Sequence, residues 1–447
     1  MSAFIVDGKR KLSGSIQVAG NKNEALPLIS AALISKSPVT FRNVPDIADV
    51  RNMLKIAEVL GASVTPIING TVTIDPSGLT TSILPLELSS AIRASILFAS
   101  SLLVRTGQAI IRQPGGDMIG HRRLDTHFLV FQALGAKFQI ERKVSSDITQ
   151  EINFVLDAQA GLRGADIYLD EASVTATENA VIAAAGANGV TIIANAASEP
   201  HVQGLCRFIE KLGITIEGIG SNVLTIHGSD KRVTTPVEHT VGSDYIEAGS
   251  FIGLAAATQS DITITGVDTS VMRMILFQFE RIGVIVDVNK EQHSLHVSGR
   301  QPLKIRKDLG GAIPRIDDAP WPGFPSDLMS IMIVTATQSE GTCLIHEKMF
   351  ESRLFFTDKL RGMGAQIVLC DPHRCVIVGP SPLYAATLSS PDIRAGYALL
   401  IAALAAEGKS IINNIEQIDR GYEHIDKRLL SLGAAIERRD GCGGGSQ

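Results

Sequence analysis

Apolar positions along this chain fall into two recurring patterns. In the first, segments rich in alanine and serine are apolar on nearly every side: ALPLISAALIS, ASILFASSLLV, NAVIAAAGA, AGSFIGLAAAT, MSIMIVTAT and AGYALLIAALAAEG. A helix that is apolar all round is a buried helix. Most of these segments run through a short polar turn into a strand pattern such as PVTFRNV, VTIIANA, ITITGV or SIINNI. In the second pattern, a Leu-Gly, Ile-Gly or Met-Gly pair closes a helix, and alternating apolar and polar residues follow, at Gly61, Gly135, Gly213, Gly283, Gly364 and Gly433. Glycine suits the left-handed end of a helix, and the alternation after it suits a strand. These glycines lie 69 to 81 residues apart, so one unit of helix, strand, helix, strand is written six times. The pattern predicts an α/β fold of two similar lobes, each of three βαβαβ-type repeats, with buried helices wrapped by sheets and outer helices.

Each buried helix also begins on a polar or charged residue. Lys22, Arg93, Thr175, Asp244, Asp327 and Arg394 stand 37 to 42 residues before their closing glycines. A helix start has free N–H groups and a dipole that favours anions. Acids there, Asp244 and Asp327, are what helix capping alone predicts. Bases there run against the dipole. A shared bound anion accounts for three of them at equivalent places; snorkelling to solvent or pairing with Asp and Glu is the other reading.

Bulk composition narrows the field without adding a site. With 447 residues the chain is too long for one core, and 45% hydrophobic against 19% charged residues describes a globular protein. A net charge of -5 offers no general field for nucleic acid, and the basic stretch at His121-Arg122-Arg123 has no wider patch around it. The opening MSAFIVDGKRKL lacks the apolar run of a signal peptide, and other apolar runs are too short to span a bilayer, so a cytoplasmic protein without membrane insertion is expected. Five cysteines (Cys206, Cys343, Cys370, Cys375 and Cys442) lack metal-type spacing, and the Asp-Pro-His-Arg between Cys370 and Cys375 reads as a hairpin turn. No metal is expected, and oligomeric state is not readable. The tail 441–447, GCGGGSQ, reads as flexible.

Seven motifs then follow in one order: VAGNKNEALP around Lys22 and Asn23, IRASI at Arg93, PGGDMIGHRRLD from Pro114 to Asp125, FPSDL at Asp327, FESR at Arg353, DIRA at Arg394 and IDRGYEHID at Arg420. Together they resemble the UDP-N-acetylglucosamine enolpyruvyl transferases, also called 1-carboxyvinyltransferases, of the EPSP synthase family, from the N-terminus to about Arg439. The related shikimate-pathway synthase shares the repeat but has a different lysine motif and no PGG loop. The resemblance implies the inside-out α/β barrel of that fold, with residues 22–241 as an inserted lobe, 1–21 plus 242–440 as the second lobe, and substrates in the cleft between them.

It also implies an activity: transfer of the enolpyruvyl group of phosphoenolpyruvate to the 3′-hydroxyl of UDP-N-acetylglucosamine with release of phosphate, the first committed step of peptidoglycan precursor synthesis. Phosphoenolpyruvate is a substrate, so no cofactor is implied. Lys22, Asn23, Arg122, Arg353, Arg394 and Arg420 match positions around it, with Lys22, Arg122 and Arg420 at the phosphate; arginine forks suit both anions. Arg93, Arg122, Arg123, Leu124, Asp125, Thr126, Glu171, Ala172, Ser173, Val174, Asp327 and Met349 match positions holding the nucleotide sugar. Asp327 matches the carboxylate that takes the hydroxyl proton. Asp117 stands where most of the family have a proton-donating cysteine that fosfomycin alkylates; some members carry aspartate. An aspartic acid in that role must hold its proton near neutral pH, through desolvation or the bound anion. Three departures bear on the acceptor: Arg123 for proline, Thr175 for glycine, and His201 for an acid. The alternatives are a transferase for another nucleotide or a shikimate-type acceptor, and a non-catalytic UDP-sugar-binding paralogue.

Overall fold

The computed structural model describes residues 2–117, 119–120, 122–144, 150–230 and 234–439. The 441–447 tail and Cys442 lie outside them. The chain divides into two compact units: a first comprising, of the described residues, 20–117 and 122–242 without the gaps above, and a second comprising 2–19, 119–120 and 243–439.

All six buried helices form. The first unit holds Lys22–Ala32, Phe98–Thr106, reached through a 3₁₀ turn at Arg93–Leu97, and Val174–Ala185; the second holds Tyr245–Ala257, Met329–Ala336, preceded by a 3₁₀ turn at Ser326–Leu328, and Ile393–Ala405. Within each unit the three pack against one another, and each trio anchors its own apolar core. Small residues allow the close approach: a Cβ on Gly253 would lie 2.3 Å from Ile331 on the neighbouring helix. Buried serines add polar ties, as where Ser30 Oγ donates to the Leu97 carbonyl at 2.8 Å. The closing glycines all have positive φ, from 87° at Gly283 to 110° at Gly364, and each follows an outer helix as the alternation predicts.

The sheets add an element that the glycine-anchored reading leaves out. After the strand beyond each glycine the chain returns in an antiparallel strand, as Val72–Asp75, Gln150–Asp157, Val223–Gly228, Ser294–Val297 and Arg374–Gly379. In the last repeat the returning position is taken by the N-terminal strand Ala3–Asp7, between Lys409–Asn413 and Ala435–Arg439. Five sheets share one four-strand order, and the sixth has three strands, with a lone parallel bridge Ile83↔Ile110 at its edge. Among the described strands these remain six separate sheets outside the helices, not one closed barrel.

Two strands are exchanged relative to sequence. Ser13–Gln17, which precedes the Lys22 helix, pairs in the second unit with Asp261–Thr265. Val237–Thr240, which precedes the Tyr245 helix, pairs in the first unit with Val39–Arg42. Gln366–Asp371 and Arg374–Gly379 form the hairpin expected around Cys370 and Cys375. Cys206, Cys343 and Cys375 are buried, and burial pushes each thiol up to about 12. No helix among the described residues is long and apolar enough to cross a membrane.

Candidate functional site

In the first unit, Lys22 is the first residue of its helix, which Asn21 caps by accepting from the Glu24 N–H. The lysine is buried, and its Nζ lies 2.6 Å from Asp49 Oδ2 on an outer helix. Asn23 is in the same first turn, half-exposed. Arg93 opens the 3₁₀ turn before its helix, and its Nη2 donates to the carbonyls of Arg122 and Arg123 at 2.8 and 2.7 Å. One guanidinium thus holds the segment after the glycine loop. Burial lowers the Arg93 pKa to about 10, the like charge of Arg122 adds to the effect, and Glu171 opposes it.

The glycine loop is close-packed. A Cβ on Gly115 would fall 1.6 Å from the Ser90 carbonyl oxygen, and one on Gly116, at φ 108°, would fall 2.9 Å from Arg93 Cβ. Both glycines are needed for this approach, and they bring half-buried Asp117 next to the Arg93 turn. Farther on, exposed Arg123 pairs with Asp170 at 2.8 Å and more loosely with Asp125 at 3.4 Å. Thr126 Oγ1 donates to the other oxygen of Asp170 at 2.7 Å. Leu124 precedes the Asp125–Ala133 helix. Glu171 and Ala172 lead to Ser173, whose side chain caps the helix beginning at Val174.

Thr175 and His127 form a link that the sequence does not reveal. Buried Asn179 donates to His127 Nδ1 at 2.8 Å, so His127 Nε2–H donates to Thr175 Oγ1 at 3.2 Å. Burial and the charge of Arg93 push the His127 pKa down to about 3. His201 is buried in the first turn of Pro200–Lys211.

In the second unit, Asp327 lies inside the 3₁₀ turn, and the capping position belongs to Pro325. The capping expectation is therefore corrected: the carboxylate instead faces two buried arginines. Arg353 Nη2 reaches Oδ1 at 3.1 Å, and Arg394 Nη2 reaches Oδ2 at 3.0 Å. Burial disfavours both guanidinium charges, but the Asp327 carboxylate, the foremost charge partner of each, holds both above their ordinary value. Asp392 caps the Arg394 helix through the N–H groups of Arg394 and Ala395. Arg394 stacks over Tyr422 at 5.5 Å, and two residues earlier Arg420 donates to Gln417 at 2.8 Å. Met349 is partly exposed, and its N–H donates to Glu347. Each base at a buried helix start thus has a partner inside its own unit, two of them aspartates and one a pair of backbone carbonyls.

Residues 6–429 match the family described as EPSP synthase (3-phosphoshikimate 1-carboxyvinyltransferase), and the chain belongs to it. Among full-length relatives, a UDP-N-acetylglucosamine 1-carboxyvinyltransferase from Treponema denticola is 52% identical over 98% of this chain and 100% of that protein. One of the same name from Bradyrhizobium diazoefficiens is 50% identical over 97% of each. Among solved structures, the enolpyruvyl transferase NikO from Streptomyces tendae superposes with a TM-score of 0.83 at 25% identity, covering 98% of both chains. An EPSP synthase from Acinetobacter baumannii shares the fold, with a TM-score of 0.73 at 19% identity over 98% of this chain and 100% of that one.

Proposed function

We propose that this chain transfers the enolpyruvyl group of phosphoenolpyruvate to the 3′-hydroxyl of UDP-N-acetylglucosamine. The name shared by relatives half identical over the full length supports this acceptor. The observation that carries the chemistry is Asp327 held between the buried guanidiniums of Arg353 and Arg394.

In this reading the sugar hydroxyl oxygen adds to C2 of phosphoenolpyruvate, Asp327 takes the hydroxyl proton, and Asp117 delivers a proton to C3. The tetrahedral ketal then loses phosphate as Asp117 takes a proton back from C3, which restores the double bond, and the proton held by Asp327 leaves with the phosphate. No electrons are exchanged with an outside partner, so the step needs no redox cofactor. The phosphoenolpyruvate carboxylate competes with Asp327 for Arg353 and Arg394, and in doing so frees an oxygen of Asp327 for the incoming proton. Lys22, Arg122 and Arg420 take the phosphate with Asn23 beside it. Arg93, the Arg122–Thr126 segment, Glu171 to Val174 and Met349 take the nucleotide sugar. Preorganised cations of this kind stabilise charge that develops in the transition state. A cytoplasmic location suits two charged metabolites for which an apolar barrier is costly. The product would serve peptidoglycan precursor synthesis.

The test is phosphate release from phosphoenolpyruvate with UDP-N-acetylglucosamine, other UDP-sugars and shikimate 3-phosphate as separate acceptors. Release only with UDP-N-acetylglucosamine is expected. Release only with the shikimate phosphate would replace the acceptor, and binding of the UDP-sugar without release would point to a non-catalytic paralogue.

A further inference from the structure

We infer that Glu347, which lies outside all the proposed substrate contacts, is a positioning residue: as the neutral acid it ties Ser326, the Met349–Phe350 turn and Asp318 together and leaves the charge of Arg353 to Asp327. This inference rests on the proposed transferase reading.

Glu347 follows the strand Gly341–His346 and is completely buried, as is Asp318 at the end of the strand Arg315–Asp317. Its Oε1 accepts three hydrogen bonds, from Ser326 Oγ at 2.9 Å, the Met349 N–H at 3.3 Å and the Phe350 N–H at 3.1 Å. Ser326 precedes the proposed base, and Met349 is a proposed nucleotide-sugar contact. One carboxyl oxygen thus fixes both sides of the Asp327 neighbourhood.

The other oxygen has a different environment. Ser326 Oγ lies 3.0 Å from Oε2, and Arg353 Nε is farther away at 3.7 Å. The remaining neighbour is the Asp318 carboxyl, whose proximity disfavours a charge on Glu347. Asp318 Oδ1 accepts the Lys348 N–H, whereas its buried Oδ2 has no hydrogen-bond partner among the described residues. Two ionised carboxylates, acceptor against acceptor, would leave that oxygen unsatisfied and desolvated. A proton on Glu347 supplies the missing donor. Burial, and then Asp318, push the Glu347 pKa well up, against the pull of Arg353.

Other charged groups are engaged elsewhere. His373 is on the Glu347 backbone carbonyl at 2.7 Å, and Lys348 Nζ is turned to Asp317 at 2.9 Å. Arg353 stacks on Phe350 and points its Nη2 to Asp327. A neutral Glu347 keeps Arg353 committed there; an ionised one would compete with Asp327 for it.

The test compares the full chain with Glu347→Gln, Glu347→Ala and Asp318→Asn. Glutamine offers an acceptor to the three donors and an N–H to Asp318, so Glu347→Gln is expected to keep the parent kcat and KM. Glu347→Ala is expected to lower kcat by about 100-fold, the scale of a slight misplacement of reacting groups, and to raise KM for the nucleotide sugar. Asp318→Asn is expected to lower kcat with a smaller change in KM. Infrared difference spectra at neutral pH should show a protonated-carboxyl band in the parent that is missing in Glu347→Gln. A folded Glu347→Gln as impaired as Glu347→Ala, or a parent without that band, overturns the inference. The infrared arm stands if Glu347→Ala does not fold, and also if the parent turns over none of the acceptors, which would defeat the transferase reading alone.

Discussion

The two units repeat one architecture but hold their candidate residues differently. In the second unit, Asp327, Arg353, Arg394, Glu347 and Asp318 form a continuous, largely buried side-chain network. In the first, beside the Lys22–Asp49 pair and the contacts of Arg123 and Thr126 with Asp170, the glycine loop and the Arg93 turn are held through backbone: two glycines against Ser90 and Arg93, and one guanidinium on two carbonyls. Buried ionic networks fix geometry at the cost of desolvation. Backbone-held loops place groups with less stability at stake and are the usual seat of chemistry that must move. The same repeat can therefore carry a buried ionic cluster in one copy and a loop held through its backbone in another.

The contrast is sharpest at Asp117. Because it sits on the loop, Asp117→Asn should leave folding intact yet reduce turnover by about 10²–10⁴-fold, the range for loss of a proton donor. Near-normal turnover would remove Asp117 from the chemistry. Fosfomycin should leave the parent active and unmodified, since a carboxylate is a weak nucleophile towards an epoxide, while Asp117→Cys should gain a covalent adduct visible by mass spectrometry. An adduct at Asp117 itself, or none in the cysteine variant, would contradict the placement of the loop.

Arg353 tests the other half. It is buried against Asp327 and Glu347, so Arg353→Met removes one partner of a buried pair, a change that costs about 3–5 kcal/mol. Denaturant unfolding should show the second unit losing stability as activity falls. Arg93→Met should instead raise KM for the nucleotide sugar, because the 122–123 segment loses its tether, with a much smaller shift in unfolding. Equal stability losses in both variants would erase the distinction between the units.

What the sequence revealed follows the same division. Local signals were legible: the closing glycines, the apolar helices and the polar residue at each helix start depend on neighbours a turn or two away. Apart from Arg374–Gly379, which the Asp-Pro-His-Arg turn announces, the returning strands escape a reading anchored on each closing glycine and the strand just after it. The partners of the charged residues were missed because they are remote in sequence: nothing in the IADVR stretch marks Asp49 as the partner of Lys22, and nothing in the HEK stretch marks Glu347 as buried, although it is 0% exposed. The pattern FPSDL fits a cap as well as a base, and the cap reading falls only because Pro325 takes the capping position.

The smallest expected effect concerns the first unit's buried histidine. His127 has an ordinary pKa of 6.5, lowered to about 3 in the folded chain by burial and by Arg93. Between those values the unfolded chain binds a proton that the folded one does not, so this contribution to stability is present above 6.5 and is lost as pH falls through the window. The slope is at most about 1.4 kcal/mol per pH unit from this one group. Unfolding of the first unit, followed from neutral pH to pH 4, should weaken along that slope, and His127→Gln, which cannot take up the proton, should flatten it. Thr175→Val removes the hydroxyl acceptor of the ring N–H but keeps the branched side chain, the burial and Arg93 in place, so the acid slope should persist in that variant. If it vanished there as well, the histidine would owe its neutral form to Thr175 and not to burial, and the first unit would depend on a side-chain network as the second does.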